Sequence, residues 1–529
     1  MKRIRSGSLL SRTTAMEQQN GDYHLTAATG DGRARRLPAT LQNFTVTGER
    51  ERPLPQPPAA TPLVVDLDGT LVKTDLLVES VVALLRRNPL CLAMVLLWLL
   101  KGKANLKHEV SRRVGLDPSL LPYHSTLLDY LKAQHEKGRP LVLATGADEL
   151  LAHQVADHLN LFDRVISSDG SRNLSPRRKR DRLVTEYGEQ GFDYAGNKRR
   201  DAAIWRSARK AIVVNPWLGA RRAARRSARV HEVFDDGAEP VLGYLRALRP
   251  YQWLKNLLVF VPLLAAHRVT ELALAGQALL AFVAFSLCAS SGYLLNDLVD
   301  LPSDRRHPHK RRRPLAAGEI SLIGGLLLIP ALLAVSGLLG RLLPPLFVVM
   351  LGIYYGVSLA YSLVLKRHVL FDVLVLAGLY ALRVVAGSAA VEIWPSPWLL
   401  AFSIFLFFSL ALVKRYAELV TMGLVAGEDA GARGYQAGDR ELLAAMGTAS
   451  GYVAVLVLAI CIASGTAQLF YGWHEFIWFL CPLLLYWISH VWLTAHRGKM
   501  HDDPLVFALR DRASWIVLLV AALTLLVGD

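Results

Sequence analysis

The stretch Ser291-Gly292-Tyr293-Leu294-Leu295-Asn296-Asp297-Leu298-Val299-Asp300-Leu301-Pro302-Ser303-Asp304-Arg305-Arg306-His307-Pro308-His309-Lys310-Arg311-Arg312-Arg313-Pro314 decides how the chain reads. An apolar run of membrane length enters it, acids line its end, a block of bases follows, and a second membrane-length run leaves. At about 100° per residue, Asn296, Asp300 and Asp304 stay within about 80° of one another on a helix. Oxygen ligands stacked on one face suit Mg²⁺, a hard ion that keeps phosphates and waters in its remaining positions. His307, Lys310, Arg311 and Arg313 are placed to hold the phosphates that such an ion leaves exposed. The plainer reading is a charged loop held on the cytoplasmic side by its arginines. A loop of that kind needs no carboxylates at four-residue spacing.

Outward from this stretch, residues 254–528 are dominated by apolar segments, approximately 254–267, 272–295, 319–340, 344–365, 369–391, 396–413, 447–470, 474–495 and 513–528. Several approach the roughly 20 residues that cross a bilayer. The loops 305–313, 366–367, 414–440 and 497–512 carry 16 Lys and Arg, whereas the opposite loops carry only Arg268 and Arg341. That asymmetry predicts the acidic-basic stretch on the cytoplasmic side and the C-terminus outside. Ionisable groups inside membrane segments are costly and usually line a cavity. Asp372 and Arg383 lie about three turns apart on one segment and so share a face. Lys366 precedes them, Lys414, Arg415, Tyr416 and Glu418 end the next segment, and Arg249, Gln252, Lys255 and Asn256 open the first. All can converge with Asn296, Asp300 and Asp304 on one pocket. For Lys366, simple positive-inside charge is the competing explanation.

Residues 246–529 resemble the UbiA superfamily of intramembrane prenyltransferases. Asn296-Asp297-x-x-Asp300-x-x-x-Asp304 matches its first aspartate motif, and Asp372 falls where the second lies, without the usual paired aspartate. Within the superfamily the likeness is to decaprenyl-phosphate phosphoribosyltransferases. It rests on Arg249-Pro250-x-Gln252-Trp253-x-Lys255-Asn256, on Asp304 to Pro314, and on Lys414-Arg415-Tyr416-Ala417-Glu418-Leu419. The resemblance implies that Asp297, Asp300, Asp304 and Asp372 serve catalysis, with Mg²⁺ on Asn296, Asp300 and Asp304. Lys255, His307, Lys310, Arg311, Arg313, Lys366, Arg383, Lys414 and Arg415 would contact substrate phosphate. The implied substrates are phosphoribosyl pyrophosphate and a polyprenyl phosphate, joined with release of pyrophosphate. The alternative is prenyl transfer from a prenyl diphosphate to an aromatic acceptor, as in quinone synthesis.

The first half differs in kind. Residues 1–60 lack apolar periodicity and read as a disordered tail. A buried strand at Leu63-Val64-Val65 then runs into Asp66-Leu67-Asp68-Gly69-Thr70, and further strands are predicted near residues 140–144, 163–167, 192–195 and 211–216. Strands running into polar turns predict a doubly wound α/β sheet with its ligands at the carboxyl ends. Residues 62–216 resemble the haloacid-dehalogenase-like phosphohydrolases. The resemblance implies Asp66 as nucleophile, Asp68 as general acid/base, Thr145 as a phosphate-binding hydroxyl and Lys179 as the phosphate clamp. Asp66, Asp68, Asn197 and Asp201 would hold Mg²⁺. Asn197 stands where that family usually has Asp, which removes one negative charge and leaves more of the role to Asp201.

The expected architecture is therefore a tail (1–60), an α/β doubly wound domain (61–220) with a helical cap at about 78–135, a linker (221–245), and an all-α polytopic membrane domain (246–529) of about nine transmembrane helices. The cap contains Leu90 to Leu100, too short to span a bilayer. It packs on its own domain or, as the bases at both its ends favour, rests on the membrane or on the second domain. The net charge of +16 admits nucleic acid as a partner, but many of the bases sit beside apolar segments, which points to lipid instead. The four cysteines show no metal spacing and predict no disulfide framework. Residues 1–20 carry no apolar core of a signal peptide. An integral protein of the inner or plasma membrane, with its sites on the cytoplasmic side, is the expectation.

Overall fold

The computed structural model describes residues 61–528 except 89, 170–172, 217–218, 228, 237–239, 427–433, 465–473 and 501–502. The expected tail, residues 1–60, lies outside the described residues. Strand β1 (Leu63–Val65) is wholly buried, and its alternation sends Leu63 and Val65 to one side of the sheet and Val64 to the other. With β2 (Leu141–Asp148), β3 (Arg164–Ser168), β4 (Asp193–Gly196), β5 (Lys210–Val214) and β6 (Val230–Phe234) it forms a six-stranded parallel sheet, order β3-β2-β1-β4-β5-β6. Burial on both faces explains why these strands read as continuous apolar runs.

Two expectations change here. The stretch 221–245 was expected as a linker, yet β6 joins the sheet edge beside β5. Its Val230-His231-Glu232-Val233-Phe234 alternation is half-buried and sits between charged residues, which masked it as a strand. The insertion at 78–135 also divides. Helix α1 (Leu76–Arg87), α2 (Cys91–Leu100) and α3 (Lys103–Arg113) build a small core from Leu84, Val95, Trp98, Leu106, Val110 and Val114. The helix Ser125–Glu136 instead turns Leu127 and Leu131 into the core under the sheet. Only the first three helices form a cap.

The second half is helical. Among the described residues seven helices are long and apolar enough to cross a membrane: Leu272–Val299, Leu322–Gly340, Pro345–Leu363, Phe371–Val391, Pro397–Thr421, Ala437–Ala463 and Phe476–His496. These seven confirm most, not all, of the nine expected segments as spans. The first segment is a 3-10 stretch, Pro250–Phe260, and a five-residue helix, Val261–Ala265. It packs against the spans: a Cβ on Gly387 would come within 2.1 Å of the Val259 carbonyl oxygen. The last, Arg512–Gly528, has 17 residues, the lower limit of the range that crosses a bilayer.

Ala60–Asp529 is one unit, and a buried ion pair ties its halves together. Glu79 on α1 receives hydrogen bonds from Arg305 and, at 2.8 Å, from the Thr74 hydroxyl. Arg305 also donates to the Ala316 carbonyl at 3.2 Å. The Arg305 and Glu79 side chains are 5% and 6% exposed. Val78 packs with Leu294, Leu298 and Leu301 at the end of the first span, beneath this pair. Gly318, at φ +70°, lies so close that a Cβ would sit 2.7 Å from that of Lys73.

Because the pair is buried, removing one partner strands the other. Glu79→Ala is expected to weaken docking by about 3–5 kcal/mol, read as faster amide exchange along Leu76–Arg87. Adding Arg305→Met should restore part of the loss.

Candidate functional site

The first span, Leu272–Val299, ends by delivering Asn296 and Asp297, and Asp300 caps it. Asp304 follows on the short helix Leu301–Arg306. Asp297 and Asp304 are buried, and Arg313 bridges them, 3.0 Å from Asp297. Arg249 pairs with Asp297 from the other side. Lys366 Nζ donates to Asn296 Oδ1 at 3.2 Å and to both oxygens of Asp300 at 2.9 Å. Lys366 is thus part of the acidic cluster, beyond any role as a topology signal. Burial raises the Asp304 carboxyl above its ordinary range, opposed by Arg313.

The basic half of the loop divides its work. Arg313 turns inward to the acids, Arg305 to the α/β half, and Arg306 to Asp117 at 3.5 Å. The His307 Nδ1 accepts from the backbone N–H groups of His309 (3.2 Å) and Lys310 (3.4 Å), so His307 shapes the loop. Lys310 is half-buried, and Arg311 is exposed.

Asp372 and Arg383 do share one helix, but each meets its own partners. Asp372 binds Arg415 and accepts from Tyr435 OH at 2.6 Å. Arg415 also pairs with Glu418 and donates to Tyr361 OH at 2.7 Å, so this expected phosphate contact is engaged by protein. Arg383 donates to Asn256 Oδ1 (2.9 Å) and Tyr354 OH (3.0 Å) and lies 5.0–5.6 Å from the rings of Tyr354, Tyr380 and Phe285. That cage satisfies a buried guanidinium by hydrogen bonds and cation–π contact.

Lys255 and Lys414 share a counter-ion that the sequence reading missed. Asp503 lies 2.7 Å from Lys255 Nζ and 3.3 Å from Lys414 Nζ, and it accepts from Tyr380 OH at 3.1 Å. The sequence marks Asp503-Pro504 only as an acid before proline, the pattern of a helix N-cap, where Asp503 accepts from Leu505 N at 3.3 Å; nothing local points to the two lysines.

In the α/β half the candidate residues gather at the carboxyl ends of β1, β2 and β4. Lys179, buried on the helix Pro176–Tyr187, donates to Asp66 Oδ1 at 2.7 Å, the Ala144 carbonyl at 2.9 Å and Tyr194 OH at 3.2 Å. The Asp68 carboxylate caps α1 through Leu76 N at 2.9 Å. The Thr145 hydroxyl accepts from Ala147 N at 2.9 Å. Asp201 accepts from the backbone N–H groups of Asn197 (3.1 Å) and Lys198 (2.8 Å). Burial, then the nearby Asp75, raises Asp68 to about 7. Burial and Asp66 raise Asp201 to about 6. Sequence reasoning also missed Lys107 of α3, which reaches across to the Gly146 carbonyl and, at 2.9 Å, to Asn173 Oδ1.

Both centres offer oxygen to a hard cation. Among the described residues no three His, Cys, Asp or Glu side chains form a ready cage. A divalent ion would be completed by amide oxygens and substrate phosphates, the usual manner of Mg²⁺. The α/β centre fits such an ion: Asn197 Oδ1 is buried without a hydrogen-bond partner among the described residues. Gly69, at φ +81°, leaves room for that amide, since a Cβ there would lie 2.3 Å from Asn197 Nδ2. In the helical centre Asn296, Asp300 and Asp304 supply only oxygen, now shared with Lys366 and Arg313.

Comparison with known proteins identifies the helical half. Residues 257–516 match the model of the UbiA prenyltransferase family. The uncharacterized protein y4nM of Sinorhizobium fredii is 35% identical over 459 residues, 86% of this chain and 89% of that one. The decaprenyl-phosphate phosphoribosyltransferase of Mycobacterium tuberculosis is 37% identical over 187 residues, 34% of this chain and 62% of that one. A solved HAD family hydrolase from Salmonella enterica serovar Typhi aligns at 13% identity and a TM-score of 0.26, covering 33% of this chain and 68% of that one.

Asp503 holds the buried ammonium of Lys255 and the half-buried one of Lys414, so Asp503→Asn should destabilise the helical half by about 3 kcal/mol. Thermal unfolding in detergent checks this, and Asp503→Glu should retain most of the stability.

Proposed function

We propose a reaction for this chain, which belongs to the UbiA prenyltransferase family through its C-terminal half: transfer of phosphoribose from phosphoribosyl pyrophosphate to a polyprenyl phosphate. One observation carries the reading. The helical centre sets more cations than carboxylates in these pairs: Arg249, Arg313 and Lys366 on Asp297, Asp304 and Asp300, with Lys255 and Lys414 on Asp503. A donor bearing a pyrophosphate and a further phosphate suits that balance better than a neutral aromatic acceptor. The name of the mycobacterial relative points to the same lipid and sugar.

In this reading an oxygen of the polyprenyl phosphate attacks ribose C1. The C1–O bond to pyrophosphate breaks, and its electron pair leaves with the pyrophosphate. Lys366 and Arg313 exchange their carboxylate partners for phosphate oxygens and stabilise the charge that develops there. Mg²⁺ bound at Asn296, Asp300 and Asp304 would supply further neutralisation of the leaving group. Arg383, fixed by Asn256 and Tyr354, keeps the deep end of the pocket cationic without moving.

The α/β half is proposed to remove the 5-phosphate, or a related product phosphate. Asp66 is the nucleophile, held and charged by Lys179, and Asp68 protonates the leaving oxygen. The proposed orientation sets both centres towards the cytoplasm and the C-terminus outside, in keeping with the loop charges. Placing successive catalysts on one chain raises the effective concentration of the intermediate.

Purified protein in nanodiscs, given phosphoribosyl pyrophosphate, polyprenyl phosphate and Mg²⁺, should release pyrophosphate and form a lipid-linked ribose by mass spectrometry. Asp300→Asn should lower transfer by roughly a hundredfold, and Asp66→Asn should leave transfer intact while stopping dephosphorylation. Formation of no ribose lipid, with turnover of a prenyl diphosphate and an aromatic acid instead, would overturn the reading. Asn197→Asp restores a negative charge to the α/β centre. It should tighten Mg²⁺ binding by roughly tenfold, a change of about 1.4 kcal/mol, measured by titration calorimetry.

A further inference from the structure

We infer that α2 lies in the lipid interface of the membrane the spans cross, anchoring the cap there, and that the α/β centre beneath the cap acts on a phosphate carried by a lipid. The second clause rests on the phosphatase reading above; the first does not.

The observation is a helix turned inside out. Of the ten residues of α2, Val95 and Trp98 face the small core of the cap. Leu92, Leu96, Leu97, Leu99 and Leu100 are exposed, Leu100 at 84%, and Leu90 just before the helix is 81% exposed. At about 100° per residue the five exposed helical leucines sweep roughly 160° of the helix. A face so broad and uniformly aliphatic, without a polar residue along it, matches acyl chains better than a protein groove, which recognises a narrower stripe.

Position and charge name the occupant. Helix α1, which leads into α2, is docked by Glu79 and Val78 against the ends of the first two spans. That places the cap at the level where the spans leave the bilayer. At about 15 Å, α2 is half the length needed to cross and fits the interface plane instead. Arg86 and Arg87 before it, and Lys101 and Lys103 after it, are exposed, as a helix seated among anionic headgroups requires.

The consequence for chemistry runs through α3. It follows α2 after Gly102 and carries Lys107, whose ammonium meets the Gly146 carbonyl and Asn173 at the end of β2, next to Thr145. A cap pinned to lipid by α2 thus holds a cation over the α/β centre from the membrane side. A phosphate on a membrane-anchored chain reaches that place with its lipid still in the bilayer; a free sugar phosphate gains nothing from it.

Two measurements on the full chain in anionic nanodiscs test this. A nitroxide is placed at Leu97→Cys, with Leu150→Cys as control, in a chain whose Cys91, Cys461 and Cys481 are replaced by serine. Leu150 is an exposed residue elsewhere in the same half. Leu97 should collide readily with oxygen and be shielded from a water-soluble nickel chelate, with Leu150 reversed. Nickel access equal to that of Leu150, or shielding from both reagents as in a contact between two copies, would overturn the anchor. For the substrate class, Leu96→Glu with Leu97→Glu should slow hydrolysis of a polyprenyl-linked phosphoribose in vesicles at least tenfold and leave p-nitrophenyl phosphate hydrolysis unchanged. Equal effects on both substrates would overturn the lipid-linked class. Failure of the unmodified protein to hydrolyse either would overturn the phosphatase reading itself, with the nitroxide result still deciding the anchor.

Discussion

A charge buried at the end of a membrane helix must meet an opposite charge or a bound ligand, because desolvation otherwise costs several kcal/mol. Most of the helical half is arranged around that requirement. Asp297 and Asp304 are closed by Arg249 and Arg313, Asp300 by Lys366, Asp503 by Lys255 and Lys414, and Asp372 by Arg415. Apart from Arg313 with the nearby Asp297 and Asp304, each pairing joins segments distant in sequence, so the ion pairs also set how the spans assemble. In the proposed reaction the pairs at the mouth differ from the deep ones in one respect: phosphate takes the place of the carboxylate. Asp372 with Arg415 and Tyr435 is the deep kind and reads as architecture, whereas Lys366 on Asp300 is the exchangeable kind.

The same requirement joins the two halves. Arg305 belongs to the basic run after the aspartates, yet it leaves them to pair with Glu79 of the α/β half. Glu79 lies on α1, whose first residue, Leu76, donates its backbone N–H to Asp68. One short path of covalent and hydrogen bonds therefore connects Asp304 with Asp68.

Much of the candidate site could be read from local pattern. The four-residue spacing of Asn296, Asp300 and Asp304 requires only helical geometry, and the run from Leu63 to Thr70 announces a strand opening into a turn. Asp503, Tyr380 and Lys107 were not legible in that way. Their meaning comes from partners 248, 123 and 39 residues away, to which no local period points. The expected basic cluster was also too simple. Arg305, Arg306, His307 and Arg313 look alike in sequence, but one docks a domain, one meets Asp117, one shapes its own loop and one enters the acids.

The sequence by itself determined the two fold classes, their order, and the residue types at both centres, because strand alternation, membrane-length apolar runs and motif spacing are short-range properties. Tertiary structure alone decided what residues 250–265 pack against, because buried Lys255 and Asn256 require partners that only the packed bundle supplies. It decided that β6 completes a sheet, since half-buried edge strands take their identity from the neighbour they pair with. It also decided the fate of each cation in Arg305–Arg313, because the choice among several acids depends on where the chain brings them, and that is a matter of fold.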